Sequence, residues 1–167
     1  MNKTLLLFIV LLAFAKVSSA QDPYEKWDHD FRPLSALDVI RFERNYADSV
    51  ERDSTADAYY TRLDSCKITA HFMGVKRKIL PEVLESMNRI NQNFYPGANK
   101  LDPVFKNEYL FECDETKIWM PIDSDIELAF NQEITKGKRV FLYCMFLNEH
   151  TKDKKLFNNF MISEFRK

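Results

Sequence analysis

The sequence predicts an α+β domain in which N-terminal helices pack on a small, barrel-like antiparallel sheet of five strands. Three observations predict it. From Lys67 to Met73, Ile68, Ala70 and Phe72 alternate with Lys67, Thr69 and His71, the period of two expected of a strand with one buried face. Tyr109 to Cys113 and Thr116 to Ile122 are short β-type runs joined only by Asp114 and Glu115, which predicts a tight hairpin. Val140 to Leu147 is an unbroken run of β-branched, aromatic and aliphatic residues. It is short for a helix and suits a strand covered on both faces.

Residues 1–20 precede this domain and have the composition of a secretory signal peptide. Lys3 gives the amino terminus a positive charge, and the apolar run from Leu5 to Ala15 falls short of the about 20 residues that a bilayer-spanning helix requires. Ser18 and Ala20 supply the small side chains of a cleavage site, so cleavage is expected after Ala20, leaving Gln21 as the new terminus. The expected location is therefore secreted or periplasmic, in a bacterial envelope.

From Gln21 to Pro33 the chain is polar and aromatic without a regular period and reads as an extended arm packed through Tyr24, Trp27 and Phe31. A single α+β domain follows over 34–167, with a helical layer at 35–65 and the barrel-like part at 67–167. Ser35 is a suitable N-cap, and Ala36, Val39, Ile40, Ala47 and Val50 line one face of a helix over 35–51. Ser54 is expected to cap a second helix carrying Tyr59, Tyr60 and Leu63. Gly74 marks the end of the first strand. Pro81 begins a helix with Val83, Leu84, Met87 and Ile90 as its stripe. Asp123 and Ser124 cap a short helix over 125–134, with Ile126, Leu128, Ala129 and Ile134 turned inward, and a last strand covers 156–165. Strand, helix, strand, strand, short helix, strand, strand is the order of an OB-like barrel; an SH3-like barrel uses similar strand lengths.

Charge and glycine content exclude several function classes. Without Lys3 and Lys16 the chain holds 22 basic against 25 acidic residues, which makes nucleic acid an unlikely partner on electrostatic grounds. Three glycines cannot build a Gly-rich phosphate cradle, and the nucleophile-elbow, HExxH, CxxC and EF-hand patterns are absent from the sequence. No cofactor is called for. Cys66, Cys113 and Cys144 are disulfide candidates in an oxidising compartment, where two would pair and one be left over; their spacing fits no zinc site.

The candidate contact residues come from strand phase. If Ile118, Met120 and Ile122 face the interior, Lys117 and Trp119 point outward, and an outward Trp beside a Lys is a natural contact for a protein or glycan. His71 falls on the polar face of the first strand, and Lys76 and Arg77 belong to a basic stretch that could meet an anionic partner. His150 sits among charges in what reads as a solvated turn, and His29 lies between Asp28 and Asp30 in the arm. The expectation is an exported, non-catalytic binding or interaction module. The alternatives are an enzyme using His71 or His29 with a carboxylate, and an inhibitor or immunity-type protein for a secreted partner.

Overall fold

A computed structural model describes residues 22–167, so the expected signal peptide and its cleavage site after Ala20 lie outside the described residues. The chain forms α1 (Glu25–Asp30), β1 (Arg32–Pro33), α2 (Ala36–Arg52), β2 (Tyr60–Lys78), α3 (Pro81–Phe94), β3 (Phe105–Cys113), β4 (Thr116–Asp123), α4 (Ser124–Glu133), β5 (Arg139–His150) and β6 (Leu156–Arg166).

The sheet is mixed and has six strands, where five antiparallel strands were expected. Its order is β1-β2-β3-β4-β6-β5, and β5 also pairs with β2, so the strands ring round without forming a clear barrel. The sixth strand is β1, two residues paired parallel to β2. A second parallel contact joins β4 to β6 at Ile122 and Ile162.

β2 makes the ring possible because it serves two partners. Tyr60 to His71 pairs with β5, and His71 to Lys78 pairs with β3, with a bulge between Phe72 and Lys76. Gly74 sits in that bulge at φ +74°, so it bends a continuing strand and does not end one. The expected second helix from Ser54 is likewise absent: residues 53–59 form a turn, and Tyr60 and Leu63 belong to β2. Pairing with Leu147–His150 overrides the local helical spacing. The β3–β4 hairpin turns through Asp114 and Glu115, both with positive φ, the geometry that matches strand twist in a two-residue loop.

Alternation explains the continuous apolar run of β5. Val140, Leu142, Cys144 and Phe146 enter the ring core, whereas Tyr143 lies under α1, and Met145 and Leu147 pack with Met87 and Ile90 of α3. Both faces are covered, so neither can be polar. Phe130 of α4 fills the ring near Phe72, Tyr109, Phe111 and Phe165, with ring centroids 5.2 to 5.9 Å away. Leu128, expected to face inward, is 69% exposed, because a helix that buries Phe130 and Ile126 turns position 128 to the opposite side.

The expected extended arm contains α1. Six residues cannot sustain a helix alone, and this one is held from outside. Trp27 and Phe31, four apart, pack on Tyr143 at 5.6 and 5.7 Å. Between them Asp28 accepts hydrogen bonds from Lys67 Nζ (2.6 Å), the Tyr143 hydroxyl (2.8 Å) and Arg166 Nη1 (3.0 Å).

Candidate functional site

α2 packs on the ring core through Val39 and Ile40, and its seam with β2 holds an open cleft of about 590 Å³. Its formation follows from two periodicities. In β2 the residues in phase with inward-facing Cys66 and Ile68 are Tyr60, Arg62 and Asp64, so the strand directs polar side chains toward its own buried face just where α2 crosses it. In α2 the buried stripe runs Ala36, Glu43, Ala47. Spacings of three and four residues would place an apolar side chain at 43, and the chain supplies a carboxylate. The apolar wall is made by Val39, Phe42, Leu63, Phe94 and Phe146.

Glu43 is 3% exposed, and burial raises its carboxyl pKa, opposed by the nearby Arg62 guanidinium. Arg62 Nη1 stands 3.5 Å from Glu43 Oε1. The guanidinium lies over Tyr46 at 4.2 Å, with Phe42 at 5.3 Å and Tyr60 at 5.6 Å. Among the described residues, Glu43 Oε2 and the Tyr60 hydroxyl are buried polar atoms without a hydrogen-bond partner. Burial also pushes the Tyr60 phenol up to about 12. A buried acceptor and a buried hydroxyl left unpaired are costly, and the first of them, on Glu43, lines a cleft large enough for a small molecule.

Behind Tyr60, His150 stacks on its ring at 5.3 Å. Expected in a solvated turn, His150 is instead fully buried, because β5 runs on to it and the turn begins at Thr151. Its Nδ1 meets the carbonyl of Ala58 and its Nε2 lies 3.0 Å from Glu51 Oε1, so it ties the 53–59 turn and the end of α2 to the ring.

The residues singled out in the sequence are distributed elsewhere. Trp119 is half-buried on the outer face of β4, and the guanidinium of Arg77 covers its ring at 4.1 Å. Arg77 also donates through Nε to Glu108, whose carboxyl burial pushes up and Arg77 draws down. Lys76 stands 3.7 Å from Glu127 and 5.9 Å from the Tyr109 ring centre. Lys117 is exposed opposite Glu112, and His71 is exposed between Glu112 and Arg139. The structure thus joins Arg77 to Trp119 and leaves Lys76, Lys117 and His71 apart from that pair. His29 has an 87% exposed side chain, lies 2.8 Å from its neighbour Asp30, and lines a shallow hollow with Asp22, Glu25 and Lys26.

Cys66, Cys113 and Cys144, the disulfide candidates, are all buried with free thiols. Cys66 and Cys144 nevertheless face each other across β2 and β5. Among the described residues, no cluster of three or more His, Cys, Asp or Glu side chains is arranged to hold a metal ion, and no helix is long and apolar enough to cross a membrane.

No known family, curated protein or solved structure matches this chain. The cleft residues were missed in the sequence because Arg62 lay inside a segment read as helix. Glu43 had left a signal: it is the one charge interrupting the Ala36, Val39, Ile40, Ala47, Val50 face.

Proposed function

We propose that this protein is an exported, non-catalytic binding module whose ligand occupies the cleft between α2 and β2. One observation carries the reading: an open, largely apolar cleft is lined by the buried carboxylate of Glu43, whose Oε2 lacks a partner, an arrangement a bound polar group would relieve. The polar residues lining this cleft are Asp38, Glu43, Asp64, Thr61 and Arg62, while His29 and His71 are not among its lining. Export rests on Lys3, the apolar run from Leu5 to Ala15 and the small residues Ser18 and Ala20.

The architecture that best accounts for the pairing order is OB-like. Numbered from β2, the ring runs first, second, third, fifth, fourth and back to first, with α4 between the third and fourth strands. Pairing of β4 with β6, parallel at Ile122 and Ile162, supports this over the SH3-like alternative.

The test is a small-molecule screen read by backbone amide shifts. Hits should cluster on Val39, Phe42, Arg62 and Leu63, and Phe42→Ala should weaken them. Hits clustered elsewhere, or chemical conversion of a ligand by the protein, would overturn the reading. A second reading, docking of a protein or glycan through Trp119, is favoured by the Arg77 guanidinium stacked on its ring. Under it, Trp119→Ala would abolish partner capture and Phe42→Ala would not.

A further inference from the structure

The arginines of this fold differ in what their donors do. Arg89 gives two hydrogen bonds to Glu149, each 2.7 Å long. Arg32 donates to Asp64 at 2.7 Å, and Arg166 to Asp28 at 3.0 Å. Arg62 is the exception among these. Its nearest carboxylate oxygen lies at 3.5 Å, beyond a charge-assisted hydrogen bond, and its position is fixed by stacking on Tyr46. The side chain is 34% exposed, so part of the guanidinium edge remains accessible from the cleft. A guanidinium whose plane is held by aromatic rings and whose donors are unspent is a preorganised receptor for a planar anion, since its fork matches a carboxylate in two parallel bonds.

The surrounding charges leave that role open. Asp64, the nearest acid on the same strand face, is already taken by Arg32 and by the amide of Ser65. Asp38 lines the cleft, but its side chain is 77% exposed and its carboxylate stands 4.0 Å from Arg41. Glu43 stands against Arg62, but burial works against its ionised form. Apart from Thr61 the remaining wall is hydrocarbon, and two of its rings, Phe42 and Phe94, are 56% and 43% exposed. Such exposure of large rings at the rim of a cleft provides surface for an apolar body to cover.

Building on the cleft reading above, we infer that the ligand is a small organic acid, its carboxylate paired with the Arg62 fork and its aliphatic or aromatic body laid against Val39, Phe42, Leu63 and Phe94. The cleft volume of about 590 Å³ lies within the roughly 300–1,000 Å³ typical of small-molecule sites.

The test uses three isosteric probes that differ only in the head group: 4-phenylbutyrate, 4-phenylbutanol and 4-phenylbutylamine, titrated while the amide and Arg Nε–H resonances are followed. The acid should bind about tenfold more tightly than the alcohol, shifting the Arg62 Nε–H, with the amine weakest of the three. Arg62→Met should erase the preference for the acid while the alcohol still perturbs Phe42 and Leu63. Arg62→Lys should retain a charge but lose part of the preference, because a point charge lacks the fork. Alcohol or amine binding as tightly as the acid would overturn the inference and leave the cleft reading intact. If none of the three perturbs cleft residues, the cleft reading itself fails. The head-group comparison on the unaltered protein decides the matter even if Arg62→Met does not fold.

Discussion

Arg89 grips Glu149 from the side of α3: Nε reaches Oε1 and Nη2 reaches Oε2, both at 2.7 Å, and the Glu149 side chain has no solvent exposure. A carboxylate in that position is tolerated only because the guanidinium closes over it. Removing the arginine strands the charge, whereas removing both partners strands nothing. Arg89→Ala should therefore cost about 3 kcal/mol of unfolding free energy in urea. Arg89→Met combined with Glu149→Leu should recover most of that loss. A single substitution costing under about 1 kcal/mol would show that the pair contributes no more than a surface bridge.

Acid stability should report the anchoring of α1. Hydrogen bonds from Lys67 and then Tyr143, with the adjacent charges of Lys67 and Arg166, hold the Asp28 carboxyl below the usual aspartate range against the opposing effect of burial. A depressed folded pKa means that the unfolded chain takes up the proton first as acid is added. The contribution is fully present above the unfolded value near pH 4 and is lost as pH falls through the folded value. Urea midpoints of the unaltered protein should fall below about pH 4, and Asp28→Asn should flatten that part of the curve. Near-ultraviolet circular dichroism should lose the Trp27–Tyr143 contribution over the same window. An unchanged acid slope in Asp28→Asn would remove Asp28 as the cause.

Glu43 should act with the opposite sign. Burial raises its folded pKa above the unfolded one, so folding is accompanied by proton uptake and stability rises as pH falls from above the folded value toward the unfolded one. Glu43→Gln keeps the shape and removes the charge. At pH 8 it should raise the urea midpoint, and the gain should shrink as pH approaches the unfolded value near 4.3. Arg62→Met should do the reverse at pH 8 by leaving Glu43 without its opposing cation. A Glu43→Gln variant less stable than the parent at pH 8 would mean that the Glu43–Arg62 pair is net stabilising.

These contrasts also show where sequence periodicity stops being informative. The α2 helix, the β3–β4 hairpin, the start of α3 at Pro81 and the core of β5 are set by local patterns that tertiary contacts reinforce, and each was legible. α1 was not, because its helix depends on Tyr143, more than a hundred residues away, presenting a ring and a hydroxyl to it. The start of β2 was not, because Tyr60, Arg62 and Asp64 put polar side chains on the inward phase, and alternation without hydrophobic contrast carries no strand signal. The same departure that hid the strand makes the cleft. His150 was misplaced for a related reason: a histidine stacked on Tyr60 and bonded to Glu51 and Ala58 is satisfied by three segments that sequence does not place side by side.

The cysteines give a chemical test of the ring interior. Desolvation pushes the Cys66 and Cys113 thiols up to about 12 and raises that of Cys144 well above the ordinary thiol value. The thiolate is the species that attacks a disulfide reagent, so at pH 8 these groups are both un-ionised and out of reach. The folded protein should leave an aromatic disulfide reagent unreacted over the time in which glutathione consumes it completely. Once unfolded in guanidinium, it should release three equivalents of chromophore, one for each free thiol. A single equivalent would mean that two cysteines are oxidised, and Cys66 with Cys144 would be the pair, because directly opposed residues of an antiparallel ladder fall within the about 4.4–6.8 Å Cα separation that a disulfide spans. Rapid reaction of the folded protein would place at least one thiol at the surface and contradict the closed packing of Cys66, Cys113 and Cys144 within the ring.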